Sequence, residues 1–386
     1  MADERKLSEI FERARTELRE KARREREIEK ISRYRFNMTP RVLYDKLDEY
    51  VIGQEEARQR VCNAICYHYK ALSRGISRGK SNLLLIGPTG SGKTYVIEKC
   101  SAVLNIPMIA GDATKFSAAG YVGDKVENLV QDLYLKTEED LVAASRGIIY
   151  FDEIDKIASR DIIGRDVSGR DVQSGLLKMI EGCDMKVVGR SGARIMNTKN
   201  ILFIGGGAFP ELYEILKKTP RVGFNRERKE EADYGEALFN AKPEKLIEAL
   251  LEYGMIPELL GRISVIARFK QLSMQDLIKI LKNSKDSPIE EFKKDLKSYR
   301  IKAEFLEESY ETIAELAWKR GLGARGLKSV IEESMTSFRF YLPDLRKTGI
   351  KKITISKESI LSPEKTLLGL IEDKNKITGG KNGNCN

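Results

Sequence analysis

Residues 87–94 read Gly-Pro-Thr-Gly-Ser-Gly-Lys-Thr, a fit to GxxxxGK[ST]. The octet follows an apolar run, LLLI at 83–86, and precedes a helical stretch, which is the strand–loop–helix context the motif requires. A chain that carries it must build a buried strand whose following loop turns backbone N–H groups inward, with a helix N-terminus behind them. Gly87, Pro88, Thr89, Gly90, Ser91 and Gly92 are expected to cradle nucleotide phosphates, with Tyr95 just beyond. Lys93 is expected to reach the β- and γ-phosphates, and the Thr94 hydroxyl to ligate Mg2+.

A second segment answers the first. GIIYFDEIDK at 147–156 is an apolar strand ending in adjacent carboxylates. At the carboxyl end of a strand beside the phosphate loop, Asp152 can hold the Mg2+ shell while Glu153 orients and deprotonates an attacking water. The two segments together predict an ATP hydrolase that needs ATP and Mg2+.

Further short apolar runs, PMIA at 107–110, ILFI at 201–204 and SVIA at 264–267, read as buried strands of a parallel sheet with helices between them. The fold class expected is α/β: a doubly wound large domain over 37–268. Residues 269–372 differ, with helical patterns (MQDLIKILKN, ESYETIAELAWKR, ARGLKSVIEESM) and two strand segments, RIKAEF and KKITIS. They predict a smaller α+β, mostly helical domain, and 373–386 read as a flexible tail. In residues 1–36, 21 positions are charged, of both signs, and the apolar stripe is narrow. Such a helix cannot bury enough surface to fold alone, so it reads either as a partner-binding helix or as a solvated extension.

Composition removes other chemistries. The chain has 386 residues, one His and five Cys. HExxH zinc chemistry needs two histidines. His68 lies in a helical stretch, CNAICYHYKAL, without a nucleophile elbow, so it reads as an ordinary helix histidine and no peptidase activity is expected. Cys62, Cys66, Cys100, Cys183 and Cys385 include no CxxC pair and read as reduced thiols, with no zinc expected. No apolar run reaches the roughly 18 residues of a membrane span, and the start MADERKLSE is unlike a signal peptide, so a cytoplasmic location without membrane partners is expected.

From about Thr39 to Ile355 the chain resembles the ClpX family of AAA+ unfoldases, and HslU more distantly. The likeness rests on LDEYVIGQEEA, SNLLLIGPTGSGKT, AGYVGDKVEN, GIIYFDEIDKIA, RDVSGRDVQ, LLKMIEG, ILFIGGGAF, GMIPELLGRI and GARGLKSVIEE, in that order. The resemblance implies that Val51 and Ile52 border the adenine and that Arg262 is an arginine finger reaching a neighbouring subunit's γ-phosphate. It implies that Arg325 contacts nucleotide from the small domain and that the assembly is a homo-hexameric ring. It further implies that Tyr121 and Val122, in GYVG, grip substrate in the pore, with RDVSGRDVQ at 165–173 as a second pore loop. Val222, Gly223 and Phe224 stand where the family's IGF-type loop docks on a ClpP-type peptidase.

Two departures bear on recruitment. The family's four-cysteine zinc domain has no counterpart in the cysteine-free residues 1–36. Its Arg-Lys-His loop is replaced by GRSGARIMNTK at 189–199. The function expected is ATP-driven unfolding and translocation of unfolded or tagged proteins, with delivery to a ClpP-type peptidase. The alternatives are a chaperone-like remodeller without a peptidase, a nucleotide-gated scaffold, and an AAA+ ATPase acting on nucleic acid. The net charge of +10 favours the last, but the basic excess is spread along the chain and GYVG favours protein, so nucleic acid is not the expected partner.

Overall fold

The computed structural model describes residues 35–76, 80–116, 126–158, 167–190, 192–217 and 234–379. Among the described residues, Thr39 opens the first helix, α1 (Pro40–Leu47), its side chain accepting from the Val42 amide while Pro40 takes the first turn. The next helix, α2 (Glu55–Ser73), starts after Gln54, whose φ of 60° turns the chain sharply.

Next come β1 (Leu83–Ile86), α3 (Lys93–Leu104), β2 (Met108–Asp112), α4 (Asn128–Lys136), β3 (Ile148–Asp152) and α5 (Val167–Glu181). A hairpin, β4 (Asp184–Gly189) with β5 (Gly192–Asn197), precedes β6 (Leu202–Gly207), α6 (Pro243–Tyr253) and β7 (Val265–Arg268). Five strands form one sheet in the order β2-β3-β6-β1-β7, every pairing parallel. The expected α/β class and its five strands are therefore present.

The continuous apolar runs follow from burial on both faces. Leu84, Ile86, Ile149, Phe151 and Phe203 point to one side, under α4, α5 and α6. Leu83, Leu85, Ile148, Tyr150, Leu202 and Ile204 point to the other, under α2 and α3. Side chains that alternate at period two thus feed two separate cores.

The structure adds two features to the sequence reading. The strand carrying Asp152 reaches the phosphate loop with β6 lying between β1 and β3. The hairpin β4–β5 was not foreseen. It has little core of its own, with Val187 and Met196 buried but Val188 and Ile195 exposed. A distant side chain holds it: Gln131 Nε2 donates to Val188 O at 2.8 Å, and Val188 N donates to Gln131 Oε1 at 2.8 Å. The segment compared with a second pore loop is helical from Val167 onward, which places Arg170 and Asp171 within α5.

The second unit contains α7 (Met274–Asn283), α8 (Pro288–Ser298), β8 (Lys302–Phe305), α9 (Glu307–Lys319), α10 (Ala324–Lys347), β9 (Lys352–Ile355), α11 (Lys357–Leu361) and α12 (Pro363–Gly379). Strands β8 and β9 pair in parallel, and a core including Leu277, Phe292, Ile313, Leu327, Phe338 and Ile353 joins the helices. Helix α10 continues past the expected stretch and carries Pro343 inside it.

Among the described residues, no helix is long and apolar enough to cross a membrane. Cys62, Cys66 and Cys100 are buried free thiols.

Candidate nucleotide site

A cavity of about 630 Å³ opens at the carboxyl end of the sheet, between it and the second unit. That is the size of a small-molecule site. Its position is also the expected one, since β1 lies between β6 and β7 and the winding reverses there. Val51, Ile52, the stretch Thr89–Tyr95, Asp152, Glu153 and Arg325 all line it.

Helix α3 begins at Lys93, directly after Gly92 in the left-handed region at φ 93°. The Lys93 side chain is 8% exposed. Its Nζ donates to Gly87 O at 2.6 Å and Pro88 O at 3.0 Å. Burial pushes its pKa down to about 8; Asp152 and Asp155 oppose that fall, and Arg325 adds to it. An ammonium this poorly solvated gains strongly from an anion brought beside it.

The two motifs meet across the intervening strand. Thr94 Oγ1 donates to Asp152 Oδ2 at 2.9 Å. Tyr150 Oη donates to Asp152 Oδ1 at 3.3 Å, and Thr94 Oγ1 lies 3.3 Å from Tyr150 Oη. Burial raises the Tyr150 phenol far above its ordinary value, so it remains a donor. Glu153 has a left-handed backbone, φ 57°, and its amide donates to Asp152 Oδ1 at 3.0 Å. A left-handed backbone is costly for a residue with a side chain.

The residues fit a bound triphosphate and its metal. Ser91 Oγ, in a residue 3% exposed, meets no hydrogen-bond partner among the described residues. A buried hydroxyl without a partner within a ring of loop amides is suited to a phosphate oxygen. The Thr94 hydroxyl and the Asp152 carboxylate form the oxygen donor set that Mg2+ prefers.

The second unit closes onto the loop. Gly90 sits at φ 75°, and a Cβ there would fall 2.1 Å from Leu322 O. Ala324 N donates to Gly90 O at 3.1 Å. The next residue, Arg325, is thereby set against the phosphate loop.

Two side chains that the sequence reading did not single out also organise the site. Gln54 is 7% exposed. Its Nε2 donates to Ser91 O at 3.2 Å and Lys270 O at 2.7 Å, while Lys270 N donates to its Oε1 at 2.8 Å. It therefore stitches the start of α2 to the phosphate loop and to the segment that runs from β7 into the second unit. Asp155, 1% exposed, accepts from Ala208 N at 3.2 Å and Phe209 N at 3.3 Å. The signal for Asp155 was present in the Asp-Glu-Ile-Asp spacing; nothing local announced Gln54.

Arg262 does not line the cavity. It is surface-exposed and paired with Glu181, while its carbonyl accepts from Asn82 Nδ2 at 3.0 Å. Tyr121, Val122, Val222, Gly223 and Phe224 lie outside the described residues, as do residues 1–34.

Residues 78–266 match the AAA domain (Cdc48 subfamily), and residues 272–338 match the C-terminal, D2-small domain of ClpB protein. Over 348 residues the chain is 39% identical to the "ATP-dependent Clp protease ATP-binding subunit ClpX" of Borrelia duttonii (strain Ly). That match covers 84% of this chain and 79% of the relative. The protein of the same description from Borrelia recurrentis (strain A1) gives the same identity and coverage.

Proposed function

Because this chain belongs to the ClpX family of AAA+ ATPases, we propose that it is the ATP-driven unfoldase of a Clp-type protease. It forms a homo-hexameric ring, threads unfolded or tagged polypeptides through its axial channel and delivers them to a ClpP-type peptidase. The observation that carries the nucleotide chemistry is the 2.9 Å contact between Thr94 and Asp152, with Glu153 adjoining it. Thr94 and Asp152 would hold Mg2+, which when bound would supply positive charge beside the phosphates. Lys93 and the loop amides bind the triphosphate, Val51 and Ile52 form the base wall, and Glu153 takes the proton from the attacking water.

Arg262, outside its own chain's cavity, is available to a neighbour's γ-phosphate, where an arginine in trans stabilises transition-state charge. Arg325 brings the second unit into contact with the nucleotide, so that hydrolysis alters the angle between the units. The tetrapeptide Gly120-Tyr121-Val122-Gly123 supplies an aromatic paddle that grips a chain irrespective of sequence. The segment Val222–Phe224 supplies the peptidase contact.

The test is the ATPase rate of the purified protein alone, with an unstructured polypeptide, and with single-stranded or duplex DNA. Stimulation by polypeptide that is blunted in Tyr121→Ala is the expected result. Stimulation by DNA alone, unaffected by Tyr121→Ala, would replace this reading with a nucleic-acid motor. Deleting 222–224 should spare unfolding and abolish degradation by added ClpP; continued degradation would reject the docking assignment.

A further inference from the structure

On the outer side of the nucleotide cavity, one carboxylate of the second unit gathers two side chains from the phosphate-loop helix. Tyr95 follows Thr94 directly, and its Oη donates to Asp286 Oδ2 at 3.1 Å. Lys99, about one turn further along α3, forms an ion pair with the same oxygen. The Lys99 ammonium also lies 5.2 Å from the centroid of the Tyr50 ring and 5.1 Å from that of Tyr95. A cation between two aromatic faces is held by their quadrupoles as well as by its carboxylate.

The neighbours of Asp286 repeat the connection. Ser284 Oγ donates to Tyr50 O at 2.7 Å. Lys285 N donates to Glu49 O at 2.9 Å, while its ammonium pairs with the Glu49 carboxylate and lies 5.6 Å from the Tyr50 ring centroid. Three consecutive residues, 284–286, are thus fastened to the segment before α2 and to the start of α3. Tyr50, Tyr95, Ser284 and Asp286 also line the cavity. Burial alone would raise the Asp286 carboxyl, but Lys99 and Tyr95 outweigh it and hold it below its ordinary value.

We propose that Asp286 is a positioning residue: a latch that, through Tyr95 and Lys99, ties the orientation of the second unit to the first turn of the phosphate-loop helix. This rests on reading the cavity as the nucleotide site. Tyr95 is one peptide bond from the magnesium-binding hydroxyl, and a helix is stiff over a single turn. The second unit carries Arg325, Ile280 and Leu327 into the cavity wall. A nucleotide that needs walls from both units binds only the closed arrangement, so its apparent affinity scales with the closed fraction. The latch raises that fraction. Its loss acts on ATP saturation and leaves the chemistry of the filled site in place.

The test measures ATPase rate against ATP concentration for the full-length wild type, Asp286→Asn, Tyr95→Phe, Lys99→Met and the double variant Tyr95→Phe/Asp286→Asn. Thermal unfolding of each is followed in parallel. Asp286→Asn should raise the half-saturating ATP concentration about fivefold, within the range of interdomain couplings, with the maximal rate within about twofold of wild type. Tyr95→Phe should shift it in the same direction, and the double variant should be no worse than Asp286→Asn, because the groups act as one unit.

If Asp286→Asn melts early, Tyr95→Phe and Lys99→Met, which keep the carboxylate, decide the matter. A folded set with unchanged half-saturation, additive shifts, or a lowered maximal rate at unchanged half-saturation overturns the latch. Binding of a fluorescent ATP analogue to the wild type separates the two readings. No binding rejects the nucleotide site itself, whereas normal binding with indifferent variants rejects the latch alone.

Discussion

Arg262 donates from both Nε and Nη2 to a single oxygen of Glu181, at 3.1 and 2.6 Å, on an exposed face apart from the cavity. An exposed pair contributes at most about 1 kcal/mol, so the guanidinium is easily drawn away by a stronger anion such as a neighbour's phosphate. Glu181, at the end of α5, is its partner meanwhile.

Arg262→Ala should therefore keep ATP binding and lose at least about a hundredfold in turnover, with little change in melting. Glu153→Gln should likewise bind ATP and scarcely hydrolyse it. If the ring forms as proposed, the two defects lie on opposite sides of one shared site. Mixed rings of the two variants should recover activity above the sum of the separate preparations. A mixture as inactive as its parts would mean that Arg262 serves its own chain or none.

Gly206 carries a different kind of constraint. A Cβ at this position would fall 2.0 Å from Tyr150 Oη and 2.7 Å from its Cζ. Tyr150 reaches Asp152 and Thr94 because β6, which lies between β3 and β1, has no side chain there. Gly206→Ala should push the phenol away, cost about 1–3 kcal/mol as an overpacked core does, and weaken ATP-dependent turnover. Adding Tyr150→Phe removes the nearest atom and should restore part of the melting temperature. Full stability of Gly206→Ala alone would show that β6 yields more easily than this packing implies.

That glycine marks how far the residues could be read unaided. The strands announced themselves because burial on both faces leaves no polar position in LLLI or IIYF. The phosphate loop was legible because its chemistry is local to eight residues. What lay hidden was set by distant partners. Nothing local explained the glycine at 206, since its purpose is to make room for Tyr150. Gln54 acts on Lys270, 216 residues away, and the hairpin β4–β5 depends on Gln131. Arg262, Val51, Ile52 and Arg325 had no local signature and came from resemblance alone; of these, Val51, Ile52 and Arg325 line the cavity.

Asp155 stands where the end of β6 offers no side chain to the site. Its two oxygens accept the amides of Ala208 and Phe209, and its charge supports the protonated form of Lys93. Asp155→Asn turns one acceptor into a donor facing an N–H, leaving a buried group unpaired at about 1–3 kcal/mol. Lower melting temperature together with weaker ATP binding is the expected outcome. A variant that melts normally and binds ATP normally would show that the loop after β6 is held by other contacts.

His68, the one histidine of the chain, gives a prediction with a defined pH window. It is 5% exposed, its Nε2 lies 3.1 Å from Asn200 O, and its ring meets Tyr69 edge-on at 5.0 Å. A nitrogen facing a carbonyl must carry the proton, so Nε2–H donates. Burial pushes the pKa from 6.5 down to about 4; the bond to Asn200 opposes this and the charge of Lys80 assists it. The folded value lies below the unfolded one. Between pH 6.5 and 4 the unfolded chain therefore binds more protons, and stability falls as pH falls through that window. Above it, the imidazole adds no slope. His68→Gln keeps a donor and cannot titrate, so wild type should lose about 2 kcal/mol more than the variant between pH 7.5 and 5. Urea unfolding of both proteins at the two pH values measures this. Equal losses would mean that the imidazole takes up its proton in place and that its surroundings are wetter than the packing of α2 against the sheet implies.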